Sequence, residues 1–252
     1  MGRPRLLLVP EFTELEWAQI RPRLEEWGEI ASFDLPGVGA EPPAESLDRD
    51  AVVSRGLEEL DRRGWDRCFV ASDGWGIASA ARLALRRPST VLGLALGHAK
   101  LSHRREGKRA PINGAVWAAM NELIEKDHEE FVRYAIAQVT GGSVDEELAK
   151  RMVDRFPAEL TATGWEMITR DDEDIGELLG RLDCPLLFAK HQGCLMSTEV
   201  GFEDAAAAFP RAETVAVEDA PTSSVEFAEA LRKFCTQSAR LENSARRAGS
   251  TR

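Results

Sequence analysis

The 252-residue sequence predicts an α/β fold: a mostly parallel central sheet with helices on both faces and a block of helices inserted late in the chain. Three observations carry this. Short apolar runs alternate with amphipathic patterns up to about residue 100, the order that builds βαβ units. Over 101–182 helical patterns follow one another with no strand signal, and the strand signal returns at Pro185. Within the first stretch, Val70-Ala71-Ser72-Asp73-Gly74-Trp75-Gly76 reads as a strand turning sharply into a helix that ends at Arg86-Arg87-Pro88.

The apolar run 6–9 is the first strand, and 14–27 follows as a helix with Leu15, Ile20, Leu24 and Trp27 near one face. A strand at 30–33 leads into the two-glycine loop Asp34-Leu35-Pro36-Gly37-Val38-Gly39. A helix at 49–63, a strand at 67–71, a helix at 77–86 and a strand at 91–96 continue the rhythm. Helices at 114–139, 144–156, 157–168 and 171–182 make up the inserted block, expected to be a lid. A strand at 185–190, a helix at 199–209, a strand at 214–217 and a closing helix at 224–234 complete the core. The expected organisation is therefore a core of 1–100 with 183–237, a helical lid at 101–182 and a flexible polar tail at 238–252.

Composition narrows the function classes. A net charge of -11 argues against a nucleic-acid groove or an anionic membrane surface as partner. Cys68, Cys184, Cys194 and Cys235 are widely spaced without a CxxC pattern, which fits reduced thiols and a cytoplasmic protein. The apolar run after Met1-Gly2-Arg3-Pro4-Arg5 is too short for a signal-peptide core, and no stretch approaches membrane length. The sequence has no Walker loop, GxGxxG, HExxH or metal-ligand spacing, so neither a cofactor nor a metal is expected. The charged runs 104–109 and 170–174 read as solvated connections. The oligomeric state is open, and a homodimer is compatible with it.

Several ordered landmarks give a family resemblance. Ser72-Asp73-Gly74-Trp75-Gly76 matches the small-x-nucleophile-x-small elbow, Asp34-Leu35-Pro36-Gly37-Val38-Gly39 a D-x-x-G-x-G loop, and Cys184-Pro185-Leu186-Leu187-Phe188 the strand before the acid. With the terminal helix around Phe227 to Phe234, the chain resembles the lid-bearing α/β-hydrolases from residue 6 to 234, a group that includes esterases, epoxide hydrolases, dehalogenases and hydrolase-like receptors. The resemblance places Gly74 at the nucleophile, Cys194 at the acid and Thr222, or its neighbour Pro221, at the base. All members of the triad are thus missing, and the relay in which base activates nucleophile and acid orients base is lost. Two backbone donors of the family's oxyanion hole map to Trp75 and Phe12, with Pro10-Glu11 in place of the usual His-Gly.

The candidate proton-transfer groups are Asp73 beside the elbow, Glu11 on the first loop and His98 after a strand end, where α/β folds keep ligand residues. Lys100 lies near His98. A one-residue register change would make Asp73 a displaced nucleophile. His191 and Cys194 share one loop, a spacing that seldom aligns a Cys-His pair. Ser72 fits the small slot of the turn and points away from the cavity. Phe12, Gly74, Trp75, Trp117 and Met120 are the expected ligand-binding residues, the last two either roofing a cavity or packing the lid. What the resemblance implies is a lidded pocket for a small, apolar carbonyl-bearing molecule. The expected function is a non-hydrolytic cyclase, isomerase or lyase of bacterial small-molecule biosynthesis, the alternative a ligand-binding regulatory pseudoenzyme.

Overall fold

The computed structural model describes residues 2–101, 114–139, 145–170, 174–195 and 198–249. Its sheet has six parallel strands in the order β2-β1-β3-β4-β5-β6. These are β1 (Arg5–Val9), β2 (Glu29–Ser32), β3 (Cys68–Ser72), β4 (Val91–Gly97), β5 (Leu186–His191) and β6 (Glu213–Val217). Alternation along a strand divides its side chains between two faces. Leu7, Val9 and Val70 join one core with Phe33, Ile77 and Leu83, while Leu6, Leu8 and Phe69 join the other with Phe227, Leu231 and Phe234. Burial on both sides is why the central strands read as unbroken apolar runs.

Helices α2 (Arg49–Arg63) and α3 (Ile77–Arg86) cover the first face, and α1 (Arg21–Glu25) and α10 (Val225–Gly249) the second. Between β4 and β5 lie α4 (Gly114–Ile124), α5 (His128–Val139), α6 (Glu146–Arg155), α7 (Ala158–Arg170) and α8 (Ile175–Gly180), and α9 (Glu199–Ala208) joins β5 to β6. The chain runs from β1 outward to β2 and returns to β3 on the other side of β1. The resulting switch point, above the ends of β1 and β3, is where open α/β sheets bind ligands.

Three elements differ from the sequence-based expectation. The helix expected over 14–27 is a 3-10 turn, Glu14–Trp17, followed by α1, because Thr13 caps the first segment and Pro22 starts the second. The helix expected over 114–139 breaks at Asp127, whose carboxylate accepts the Glu130 N–H at 3.0 Å and so begins α5. The polar tail expected to fray from residue 238 continues as helix α10 to Gly249. The run 104–109 and residues 144 and 171–173 lie outside the described residues. Among the described residues no helix is long and apolar enough to cross a membrane.

Candidate active site

The turn from β3 into α3 has its apex at Gly74. Gly74 has φ +49, the left-handed region that favours glycine. Asp73 accepts the Gly74 N–H at 2.8 Å, and the Ser72 hydroxyl donates to the Val9 carbonyl at 3.0 Å, fastening β3 to β1 away from the site. Buried Arg49 donates to the Trp75 carbonyl at 2.9 Å and holds the turn from below. The left-handed apex falls on residue 74 while Asp73 is extended with φ -128, which is not the backbone of the one-residue register change that would make Asp73 the nucleophile.

The space over Gly74 is taken by Glu11. A Cβ on residue 74 would find the Glu11 Cδ and both carboxyl oxygens within 2.7 Å. The Trp75 N–H donates to that same carboxyl. Glu16 in turn accepts the Glu11 N–H at 2.7 Å and the Phe12 N–H at 3.3 Å. Both backbone donors expected to be open to a ligand are therefore engaged by the chain's own acids, which corrects the expectation for Phe12 and Trp75. The physical reason is the Pro10-Glu11 loop, which supplies a long carboxylate where a glycine would leave the hole open. Glu16 went unread in the sequence, although Thr13-x-x-Glu16 is a capping-box signal. Thr13 caps the turn as that motif requires, accepting from Leu15 N–H at 3.2 Å, while Glu16 reaches past the cap to the amides before it.

The acids on this loop sit in an unfavourable setting for charge. Burial, with the Asp73 charge adding to it, pushes Glu11 up to about 8 against the opposing pull of Lys100, His98 and the Trp75 amide. Burial and then the neighbouring Glu11 hold Glu16 well above the usual carboxylate range. Glu11 thus keeps its proton through neutral pH. It shares a cavity of about 60 Å³ with Phe12, Glu16, Asp73 and Thr222, bounded on the inserted helices by Ala135, Ile136, Leu148 and Met152.

Beside Glu11 lies a buried pair. Asp73 Oδ1 and His98 Nδ1 are 2.6 Å apart, with side chains 1% and 3% exposed. Burial pushes Asp73 up, but His98, the Gly74 N–H and Lys100 outweigh it and hold the carboxyl below its usual range. Burial pushes His98 down, and Asp73 and Cys194 outweigh that to hold it well above the usual histidine range. His98 itself has φ 47, a rare conformation for a residue other than glycine, which turns its ring back toward Asp73. Asp73 Oδ2 is buried with no hydrogen-bond partner among the described residues. Burial also pushes the Lys100 amine below the usual lysine range, opposed by Glu11, Cys194 and Asp73.

On its other side His98 meets two residues that sequence spacing had set aside. His98 Nε2 lies 3.2 Å from His191 Nδ1, and Cys194 hydrogen-bonds to His98. Donor atoms of His98, His191 and Cys194 all lie within 4.8 Å of one another. The turn after β5 brings this about: Gln192 N–H bonds the Val217 carbonyl at 3.0 Å, and the chain doubles back so that Gly193 passes close over the His191 ring. A second cavity, of about 420 Å³, opens on this side, with His98, Lys100, His191, Cys194 and Glu199 on its wall. Cys194 hydrogen-bonds to His98 and lies within 4.8 Å of His191, a grouping of three metal-binding residue types that the spacing in the sequence did not show.

Trp117 and Met120 are 2% and 0% exposed and belong to the aromatic cluster that packs the inserted helices onto Trp75. Trp117 and Trp165 contact the Trp75 ring with centroids 6.3 and 5.3 Å away. Their place is that of core residues holding the elbow tryptophan, the packing alternative of the two weighed for them.

No protein-family model matches the sequence, and no curated protein matches it. Solved structures do match in shape. A hydrolase from Oleispira antarctica superposes with a TM-score of 0.77 at 14% identity, over 94% of this chain and 92% of its own. A bromoperoxidase from Bacillus anthracis gives 0.76 at 17%, over 94% and 92%. The enol-lactonase from Burkholderia xenovorans LB400 gives 0.71 at 16%, over 95% and 92%. The chain has the α/β-hydrolase fold, as its landmarks implied.

Proposed function

We propose that the protein is a non-hydrolytic acid–base enzyme, of the isomerase, lyase or cyclase type, acting on a small, largely apolar carbonyl-bearing molecule. One observation carries the reading: two carboxyls whose surroundings push them in opposite directions line the same cavity. Glu11, raised to about 8, is a proton donor at neutral pH; Asp73, held low, is an acceptor with Oδ2 unpartnered among the described residues. Divergent carboxyls in one site divide acid and base roles between them. Glu11 would protonate the carbonyl oxygen while Asp73 Oδ2 takes the proton from the neighbouring carbon, giving the enol from which isomerisation, elimination or ring closure proceeds. His98 keeps Asp73 anionic and oriented. With glycine at the elbow there is no hydroxyl to acylate, and the Glu11 carboxyl stands where one would attack. The cavity of about 60 Å³ admits the reacting end of a substrate beside Ile136, Leu148 and Met152.

The test is hydrogen–deuterium exchange at the carbon next to the carbonyl, followed by NMR across a panel of small apolar ketones and lactones in heavy water. Glu11→Gln should lower the exchange rate by roughly 10² or more, the usual loss for a general acid or base. The wild-type rate should fall as pH rises through about 8, where Glu11 loses its proton. Full activity in Glu11→Gln would remove the proposed role.

A second reading has its own observation. Cys194, His98 and Asp73 stand in the order nucleophile, base and orienting acid of a thiol hydrolase. Under that reading Cys194→Ser, and not Glu11→Gln, abolishes turnover of activated esters.

A further inference from the structure

We infer that His98, His191 and Cys194 form a zinc-binding site whose fourth coordination position opens into the cavity above the ends of β4 and β5. This goes beyond the acid–base reading and does not use Glu11 or Asp73 Oδ2, although the Asp73–His98 pair is common to both. Three observations support it.

The first is distance. His98 Nε2 and His191 Nδ1 are 3.2 Å apart, and the three donor atoms fall within 4.8 Å of one another. Tetrahedral zinc with Zn–N bonds of about 2.0–2.1 Å holds two imidazole nitrogens about 3.3–3.4 Å apart. The histidine pair therefore needs almost no movement to accept the ion.

The second is orientation. Asp73 Oδ1 sits 2.6 Å from His98 Nδ1, so a metal ion that displaces the proton from Nε2 leaves Nδ1–H on Asp73 and the Nε2 lone pair directed toward His191. A carboxylate behind a ligating histidine fixes tautomer and ring direction and raises ligand basicity. Asp73 is itself anchored by the Gly74 N–H at 2.8 Å.

The third is chemistry and access. Two imidazoles and a thiolate suit zinc, whereas calcium and magnesium take oxygen ligands. Three protein ligands leave one position for water or another small ligand, and the cavity of about 420 Å³ lies on that side. The His98 and His191 ligands come from the ends of adjacent, hydrogen-bonded strands, a rigid support for a metal.

Protein stripped with a chelator and freed of it is titrated with cobalt(II), then with zinc. One equivalent of cobalt should give a thiolate-to-cobalt charge-transfer band and the intense visible bands of four-coordinate cobalt, both bleached by one equivalent of zinc. Cys194→Ser should abolish the charge-transfer band, while Cys184→Ser keeps it. Asp73→Asn should weaken zinc affinity about 10–100-fold. In the unsubstituted protein, zinc should slow alkylation of Cys194 by iodoacetamide, read by peptide mapping, which needs no variant to fold. The absence of a cobalt spectrum overturns the site, as does a charge-transfer band that survives Cys194→Ser. Alkylation of Cys194 at the same rate with and without zinc overturns it too and favours the thiol-nucleophile reading. Glu11→Gln should keep full metal stoichiometry, so failure of the acid–base reading and failure of the metal site are told apart.

Discussion

At the scale of single residues, Gly74 and Glu11 are one feature. Glycine is the residue for which φ +49 is easy, and it leaves the room that the Glu11 carboxyl occupies. Gly74→Ala should therefore be destabilising for two separable reasons: roughly 1–2 kcal/mol for a side chain in the left-handed region, and a further loss from collision with Glu11. A double-mutant cycle by chemical denaturation separates them. In a Glu11→Ala background, Gly74→Ala should retain the backbone cost and shed the collision, giving a coupling of about 1 kcal/mol or more. Additive losses would mean that Glu11 moves aside freely. Gly74 was readable from the sequence, because a motif names its position, whereas its consequence for Glu11 was not. That consequence depends on how the loop after β1 folds over β3, which no local pattern encodes.

At the scale of elements, Arg155 joins the inserted helices to the core beside their aromatic packing on Trp75. Arg155, in the last turn of α6, donates to Asp34 at 2.9 Å from Nε and to Glu14 at 3.1 Å, and its carbonyl accepts the Gly39 N–H at 3.0 Å. Asp34 is buried, and it also accepts the Thr13 hydroxyl at 3.0 Å and the Glu14 N–H at 3.1 Å. The D-x-x-G-x-G loop thus joins the first 3-10 turn to α6, and a side chain at Gly39 would strike Arg155 and Asp34. Arg155→Met keeps the aliphatic stem and removes the charge, leaving a buried carboxylate short of its strongest partner. The expected cost is about 1–3 kcal/mol, seen as a lower denaturant midpoint with an unchanged m value. A midpoint equal to wild type would show that the Arg155 charge adds nothing to the hold of the aromatic packing and the backbone contacts. The strands and the helices α2 and α3 were legible because periodicity and turn residues act locally. The breaks at Pro22 and Asp127 were missed because an apolar stripe continues across a cap, and the cap decides where a helix stops.

At the scale of the whole molecule, a single edge of the sheet gathers the titratable groups. Glu11 follows β1, Asp73 follows β3, His98 and Lys100 follow β4, and His191 ends β5. These positions are far apart in sequence, so their meeting depends on the strand order β2-β1-β3-β4-β5-β6, and only the family resemblance gave any hint of it. Burying acids at this edge makes global stability depend on pH. Glu11 faces Asp73, whose charge disfavours ionisation, and Lys100, His98 and the Trp75 amide, which favour it; burial dominates and the carboxyl rises from 4.5 to about 8. Below about 4.5 both folded and unfolded chains hold this proton, and it contributes nothing to the difference between them. As pH rises the unfolded chain ionises first, so stability is lost progressively until about 8, above which the loss is complete. Glu16, raised for the same reason with Glu11 adding to it, acts in the same direction. Melting temperatures of wild type and Glu11→Gln, measured across that interval in one buffer series, should therefore converge at the acid end and separate toward alkaline pH. Glu11→Gln should become the more stable of the two as its neutral amide escapes the ionisation penalty. A constant offset across the interval would show that Glu11 titrates alike in the folded and unfolded chains, and that the edge does not hold its proton.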